Sequence, residues 1–302
     1  MSTRVVSRHV RLIDAPYRGE SGVLGTYLVK GKHSMVIDPG PTVSIPYIIK
    51  ELDKNGIPPD LLRCVAPTHI HLDHAGGSWK LLERHPEAKL LVHPRGARHM
   101  IDPSRLEAGA RKLFGDRVSS YGEIKGVPAE RVVESQDGRE IDLGGVTVRV
   151  TWTPGHASHH QCYHVPEDGV VILGDAGGFY SPEAGIIMPT TPPPFNPLQA
   201  IESLDALIAL EPEIACYGHF GCSGNAVEML IAHRRQIRLW SRIVEEGLEE
   251  GMNPREIYAQ IRTEDPMASR VEYSPEMTER SPLINVLGIL KYHEWARTKQ
   301  QS

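Results

Sequence analysis

A chain of 302 residues, 40% of them hydrophobic, is long enough to bury at least one large core. The net charge of −5, from 38 acidic and 33 basic residues, argues against a dedicated nucleic-acid surface. No stretch approaches the roughly 20 apolar residues of a membrane span, and residues 1–11 alternate charge with valine rather than forming a signal-peptide core. We therefore expect a cytoplasmic protein that binds neither nucleic acid nor membranes.

Antiparallel hairpins followed by a helix are predicted for the N-terminal part of the chain. Strand-like segments rich in apolar residues occupy residues 5–6, 10–13, 26–29 and 34–37. Asp38 and a Pro-Gly-Pro sequence end the last run sharply, and isoleucine and leucine then recur at helical spacing over residues 45–52. This pattern predicts a helix packed against a sheet.

A dense group of potential metal ligands occurs in residues 68–77, which read Thr-His-Ile-His-Leu-Asp-His-Ala-Gly-Gly. They follow a predicted buried strand at residues 61–66 and precede a predicted helix at residues 78–84. A single histidine is usually a packed core residue, but three histidines and an aspartate fall within six residues here. They are His69, His71, Asp73 and His74. Because zinc, iron, manganese and nickel prefer imidazole and carboxylate ligands, this turn predicts a metal centre.

Three later strands each lead to another histidine or aspartate. Residues 146–152 precede His156, residues 170–173 precede Asp175, and residues 213–217 precede His219. Other strands are predicted at residues 89–93, 131–134, 140–143 and 163–165, and helices at residues 103–115 and 198–210. Since four strand ends deliver ligand-type side chains, we expect them to meet at one rim of a sandwich of two similar halves.

The C-terminal part of the chain is predicted to be helical. Residues 225–302 show no convincing strand, and helical patterns occur at residues 226–250, 254–261 and 282–295. Asn253 followed by Pro254 is typical of a helix N-terminus. We expect a helical appendage near the site, acting as a structural cap or as the surface of a homodimer.

Four cysteines occur without CxxC spacing, and we expect all of them to be reduced. Cys64 and Cys162 lie in apolar runs typical of small buried residues. Cys216 and Cys222 flank His219 and are predicted to be neighbours of the site and not ligands.

The sequence His-x-His-x-Asp-His with distant His, Asp and His resembles the signature of the metallo-β-lactamase-fold hydrolases. The resemblance covers about residues 5–222 and implies an α+β fold, a four-layer αββα sandwich. It divides the chain into a catalytic domain, residues 1–222, and a helical region, residues 223–302.

The resemblance also implies how the ligands are shared between two ions. It assigns His69, His71 and His156 to one metal site, Asp73, His74 and His219 to a second, and Asp175 to a bridging position. His159, His160 and His164 are alternatives to His156, whose Pro-Gly-His setting matches the family. Asp38 would orient a ligand histidine or, alternatively, only terminate its strand.

The chemistry implied is hydrolysis with two divalent ions, zinc being the expected metal and iron, manganese or nickel the alternatives. The ions would lower the pKa of a shared water from ~15.7 toward neutrality, and no Gly-x-Ser-x-Gly nucleophile motif is present. Asp73 and Asp175 are candidates for proton transfer. The proline-rich residues 188–197 predict a rigid loop beside the substrate. Candidate substrate contacts, each with packing as the alternative role, are Tyr180, Phe195 and Tyr217.

The predicted activity is cleavage of an ester-type bond in a small molecule: a lactone, a carboxylic ester, a thioester or a phosphoester. A glutathione thioesterase belongs to this class, but the C-terminal helices show no clear basic glutathione site. The alternatives are an iron-dependent persulfide dioxygenase and a catalytically silent binding or signalling protein. Members of the family that reduce oxygen carry a carboxylate where this chain has Ile70. This difference disfavours oxygen reduction as the activity of this chain.

Overall fold

Two β-sheets form the centre of the computed structural model, which describes residues 3–271 and 281–300. Strands β1 to β7 make the first sheet, in chain order. They are β1 (Thr3–Val5), β2 (Val10–Asp14), β3 (Gly25–Lys30), β4 (Ser34–Ile37), β5 (Leu62–Ala66), β6 (Lys89–Val92) and β7 (Val132–Glu134). The first four strands pair antiparallel, as predicted for hairpins, and β4 to β7 pair parallel.

The second sheet has the order β14-β13-β11-β10-β9-β8, with β12 paired to β11. Its strands are β8 (Glu140–Asp142), β9 (Thr147–Trp152), β10 (Gln161–Val165), β11 (Val170–Ser181), β12 (Ile186–Met188), β13 (Ile214–His219) and β14 (Cys222–Ser223). Strands β11 and β13 are parallel, whereas the neighbours β9, β10 and β11 are antiparallel.

Helices connect the strands and cover both sheets. They are α1 (Ile45–Lys54), α2 (Leu72–Ala75), α3 (Ser78–Arg84), α4 (Pro94–Ile101), α5 (Ser104–Phe114), α6 (Pro197–Ile208), α7 (Ala226–Glu249), α8 (Pro254–Glu264) and α9 (Ser281–Gln300). No helix within residues 3–271 or 281–300 combines the length and apolar character needed to cross a bilayer.

The period-2 alternation of the strands explains the layered architecture. In β4, Met35 and Ile37 join the core between the two sheets, while Val36 packs toward the helices outside the first sheet. In β11, Ile172 faces the inter-sheet core and Leu173 faces the opposite helices. Each sheet therefore has two buried faces, and the predicted α+β, four-layer αββα sandwich is confirmed.

The C-terminal helices share a hydrophobic core with the second sheet. Trp240 of α7, Ile257 of α8 and Ile289 of α9 are fully buried in the same cluster as Leu173 and Tyr217. Helix α8 begins as predicted, with a capping box at its N-terminus. This hydrophobic core therefore includes residues on both sides of residue 222. The domain boundary placed there from the sequence stays a prediction.

One strand is longer than predicted. The prediction that the strand beginning at residue 170 ends before Asp175 is wrong, since β11 continues to Ser181. Ile172 pairs with Cys216 and Gly174 with Tyr217, so β11 advances two residues while β13 advances one. Such a bulge bends a strand and re-aims the side chains that follow it.

Candidate metal centre

The seven candidate ligands converge from four separate segments of the fold. His69, His71, Asp73 and His74 lie in the turn from β5 into α2, and the other three come from the second sheet: His156 after β9, Asp175 within β11 and His219 at the end of β13. Their potential ligand atoms fall into three overlapping groups, each within 4.8 Å: His69/His71/His156, His69/His74/Asp175 and Asp73/His74/His219. The turn and the distant strands thus meet at one rim of the sandwich.

Three histidine nitrogens form the first half of the site. His69 Nε2 lies 2.9 Å from His71 Nδ1, and His156 Nε2 lies 3.1 Å from the same His71 atom. A neutral ring nitrogen carries one proton or one lone pair, so hydrogen bonding alone does not explain this convergence. Nitrogen ligands ~2.0 Å from a tetrahedral zinc ion lie about 3.3 Å from each other. The spacing of the three nitrogens therefore suits a cation.

The second half of the site combines two histidines with an aspartate. Asp73 Oδ2 lies 3.8 Å from His74 Nε2 and 3.8 Å from His219 Nε2. The His74 side chain is buried, whereas those of Asp73 and His219 are partly exposed, at 23% and 19%. This half therefore opens toward solvent, where a substrate can approach.

Asp175 lies between the two halves. Its Oδ1 is 3.2 Å from His74 Nε2 and 3.4 Å from His219 Nε2, while its Oδ2 is 3.5 Å from His156 Nε2. Because one oxygen faces each half, the carboxylate has the placement that a bridge between two cations requires.

Unsatisfied polar atoms in the site fit a bound cation. His74 Nε2 and Asp175 Oδ1 are buried and, despite their separation of 3.2 Å, lack hydrogen-bonding geometry with each other or with any other group of residues 3–271 and 281–300. Buried polar atoms normally have a partner, because leaving one unpaired costs about 1–3 kcal/mol. A divalent ion at this position would satisfy both atoms.

Asp38 lies behind the site and contacts His74. Its Oδ2 accepts from His74 Nδ1 at 3.0 Å and from Thr68 Oγ1 at 3.0 Å, and its Oδ1 accepts from Thr68 N at 2.6 Å. The backbone of Asp38 is left-handed, with φ of 49°, which turns the carboxylate away from the strand direction. A proton held on Nδ1 leaves Nε2 of His74 free to bind a cation.

His156 is oriented by a backbone carbonyl that the sequence gives no means of identifying. Its Nδ1 donates to Thr190 O at 2.8 Å, and Thr190 Oγ1 donates to Asp175 O at 3.0 Å. The alternative His160 bonds instead to Thr153 Oγ1 and accepts from Ala176 N, so its ring links the segment after β9 to β11. None of the three groups of potential ligand atoms among the described residues contains His160 or the other two alternatives, His159 and His164.

The protonation states differ between the two halves. Burial lowers the pKa of His71 to about 3, and burial also lowers the pKa of His69 and His156, so these rings are neutral as ligands must be. Burial has the same effect on His74, but the nearby carboxylates of Asp175 and Asp73 outweigh it and raise its pKa. The carboxylate-rich half is thus the part of the site that attracts positive charge.

The three aromatic residues predicted to contact substrate lie in the core beside the second sheet. Tyr180, Phe195 and Tyr217 are 9%, 5% and 0% exposed, and the first and third stack with centroids 4.5 Å apart. Phe195 borders a small cavity that also borders His156 and Asp175. This burial favours packing as the role of Tyr217. The assignment of the three residues as substrate contacts stays a prediction.

Other aromatic side chains, which the sequence analysis missed, lie nearer the open half. Phe179 is 40% exposed, and its ring centroid is 6.0 Å from that of His219. Tyr17 and Tyr121 stack with centroids 5.6 Å apart, and burial together with the nearby Asp73 carboxylate raises the pKa of Tyr121. Tyr17 lies in a loop, Tyr121 ends a short 3-10 helix and Phe179 lies in the bulged strand, so no periodic pattern signals a function for them.

The two cysteines near His219 are free thiols. The Sγ atoms of Cys216 and Cys222 lie 3.3 Å apart on paired strands, β13 and β14. Neither belongs to a candidate ligand group among the described residues.

Comparisons with known proteins place these residues in a wider context. The sequence model described as "Metallo-beta-lactamase superfamily" matches residues 19–219. The metallo-beta-lactamase fold-containing protein ST1585 of Sulfurisphaera tokodaii is 34% identical over 166 residues, which cover 54% of this chain and 62% of that protein. A hydroxyacylglutathione hydrolase of Maricaulis maris is 31% identical over 150 residues, which cover 50% of this chain and 44% of that enzyme. The matched segments therefore span less than two thirds of either relative.

A solved structure extends the similarity to nearly the whole chain. The crystal structure of ST1585, described as an archaeal metallo-beta-lactamase superfamily protein, matches with a TM-score of 0.70 at 24% identity and covers 94% of this chain and 99% of that one. At this identity the match shows the fold. Since the family model spans every candidate ligand from His69 to His219, this chain belongs to the metallo-β-lactamase superfamily.

Proposed function

We propose that this chain is a hydrolase that holds two divalent metal ions and cleaves an ester-type bond in a small molecule. The observation that carries the proposal is the placement of Asp175, whose two oxygens face two separate groups of histidines. When bound, the two metal ions supply a water of lowered pKa as the nucleophile and a Lewis acid for the substrate oxygen.

The proposal keeps the division of ligands that the family resemblance implies. His69, His71 and His156 would hold one ion, Asp73, His74 and His219 would hold the other, and Asp175 would contribute to both. The three overlapping groups of potential ligand atoms support this division. Asp38 keeps the Nδ1 proton of His74, so that Nε2 presents its lone pair. Zinc suits this nitrogen-rich set, and iron, manganese and nickel are the alternatives to be tested.

The open half of the site is proposed to receive the substrate. Asp73 is the more exposed of the two aspartates, 23% against 6% for Asp175, so it is the better placed to pass a proton to solvent or to a leaving group. The half-exposed Phe179 beside His219 offers an apolar surface for an acyl group.

Among ester-type bonds, thioesters are the first class to test. Relatives at 30–31% identity over about half of this chain are named hydroxyacylglutathione hydrolases, and that name denotes cleavage of a glutathione thioester. Lactones, carboxylic esters and phosphoesters remain in the proposed class, because the ligand set acts on the attacking water and the electrophilic oxygen rather than on one leaving group.

Metal analysis combined with a substrate panel tests the proposal. Purified protein is expected to bind two ions per chain and to hydrolyse at least one of a thioester, a lactone, a carboxylic ester and a phosphoester. His71→Ala is expected to lose metal and turnover together, whereas the matched control His33→Ala, at the turn between β3 and β4, keeps both. Oxygen consumption with a single iron would instead identify a dioxygenase, and two bound ions without turnover of any substrate would favour a binding role.

A further inference from the structure

The C-terminal helix α9 reaches the loop that carries Thr190. Asn285, in the second turn of α9, accepts a hydrogen bond from Thr191 N at 2.8 Å through Oδ1 and donates one to Pro189 O at 2.8 Å through Nδ2. Its backbone carbonyl accepts from Thr191 Oγ1 at 2.9 Å. Three hydrogen bonds from one residue therefore fix the backbone on both sides of Thr190.

Thr190 in turn holds two proposed ligands. Its carbonyl accepts the His156 Nδ1 proton at 2.8 Å, and its hydroxyl donates to the carbonyl of Asp175 at 3.0 Å. A rotation of the 190–191 peptide would move the acceptor that sets the tautomer and the plane of the His156 ring. The orientation of a first-site ligand therefore depends on where α9 anchors this loop.

The packing of α9 allows this close approach at a single point. A Cβ atom placed on Gly288 would lie 1.8 Å from Thr191 O, so a residue with any side chain there would push the loop away. Gly288 lies one turn after Asn285 and is buried, so both residues present the same face of α9 to the loop. At Gly288 the backbone of the helix therefore lies directly against the loop.

We propose that Asn285 is a positioning residue of the metal centre, which acts on His156 and Asp175 through Pro189, Thr190 and Thr191. This inference rests on the proposed function, because it assigns a role relative to the ions proposed there. It also gives the C-terminal helices a role beyond covering the second sheet, because α9 fixes the loop whose Thr190 carbonyl orients His156.

Metal affinity of the full-length chain, measured by competition with a chelator using zinc as the probe, tests this role. Outer partners of metal-ligating histidines typically contribute 10–100-fold in affinity. Asn285→Ala is expected to lower zinc affinity within that range. Asn285→Asp keeps the acceptor for Thr191 N but sets a carboxylate oxygen against Pro189 O, so it is expected to lower zinc affinity as well. The exposed Glu294→Ala on the same helix is the matched control and should bind zinc as the wild type does.

A second measurement separates positioning from folding. With cobalt in place of zinc, the visible absorption bands report ligand geometry, and Asn285→Asp should shift them while its metal-free form melts within a few degrees of the wild type. Wild-type bands and zinc affinity within twofold of the wild type in both Asn285 variants would overturn this inference alone. A wild-type chain that binds none of zinc, iron, manganese and nickel would overturn the proposed function and this inference together, whereas metal binding without hydrolysis would overturn only the proposed function.

Discussion

Replacing Asp38 by asparagine tests whether this buried acid controls the metal centre through His74. Asparagine is the informative choice because it tolerates the left-handed backbone at this position, with φ of 49°, and keeps the shape of the side chain. Its amide oxygen can still accept from Thr68 N, as Asp38 Oδ1 does at 2.6 Å. Its NH2 group, however, cannot accept from His74 Nδ1, which lies 3.0 Å from the carboxylate.

The magnitude follows from the lost acceptor. With two donors facing each other in a buried site, the metal-free variant should lose about 1–3 kcal/mol of unfolding free energy. His74 would relieve the clash by moving its proton to Nε2, the atom proposed to bind metal. We therefore expect metal affinity to fall about 10–100-fold, which corresponds to about 1.4–2.7 kcal/mol.

Two assays separate these effects. Urea unfolding of metal-free protein measures the change in unfolding free energy. Chelator competition with metal quantification measures the change in metal affinity. The exposed Asp60→Asn serves as the control for loss of a negative charge and should change neither value. If Asp38→Asn retains two ions at wild-type affinity, the proposed orientation of His74 by Asp38 is refuted, whatever the change in stability.

Three further predictions address other parts of the molecule. Hydrogen bonds from Ser7 and His9 outweigh the burial of the Asp168 side chain and lower its pKa, so its stabilising effect is present above about pH 4 and is lost as the pH falls further. Asp168→Asn should therefore lower the unfolding free energy by about 1–3 kcal/mol at pH 7, and a pH series should show the difference from wild type shrinking below pH 4; a constant difference would contradict this. Phe179→Ala should change KM and substrate preference while the melting temperature moves by no more than a few degrees, because the ring is 40% exposed; unchanged kinetics on every substrate would remove it from the proposed binding surface. Gly174→Ala should destabilise the fold and lower metal affinity in calorimetry, because the new Cβ would lie 2.3 Å from Thr68 Oγ1 at a residue with φ of +52°; wild-type behaviour would show that this contact relaxes freely.

The candidate ligands could be predicted from the sequence because each belongs to a local pattern. His69, His71, Asp73 and His74 are adjacent in the chain, and His156 and His219 follow apolar strands that end clearly. Two sheets that share one core bring such strand ends to one rim, so the approximate location of the site follows from topology.

The supporting contacts could not be predicted, because they involve groups without a sequence signature. The partner of His156 is the backbone carbonyl of Thr190, and every residue has such a carbonyl. Asn285 looks like an ordinary polar residue within a helix, and only the fold shows that it contacts residues 94 and 96 positions away in the chain. The aromatic surface near His219 was missed for the same reason, since Phe179 lies in a run of glycines that resembles a turn.

Strand β11, which continues past its predicted end, shows how the two halves of the site are joined. Strict alternation would place Asp175 on the same face as Leu173, toward the helices and away from His74. The bulge at Gly174 changes this direction, and Gly174 packs so closely against Thr68 that no side chain fits between them. Thr68 also bonds to Asp38, so the contact links the segment of β11 that carries Asp175 to the acid that accepts a hydrogen bond from His74. Neither sheet can hold the two proposed ions alone, because each supplies only part of the candidate ligands, and Gly174 packs against Thr68 where the two parts meet.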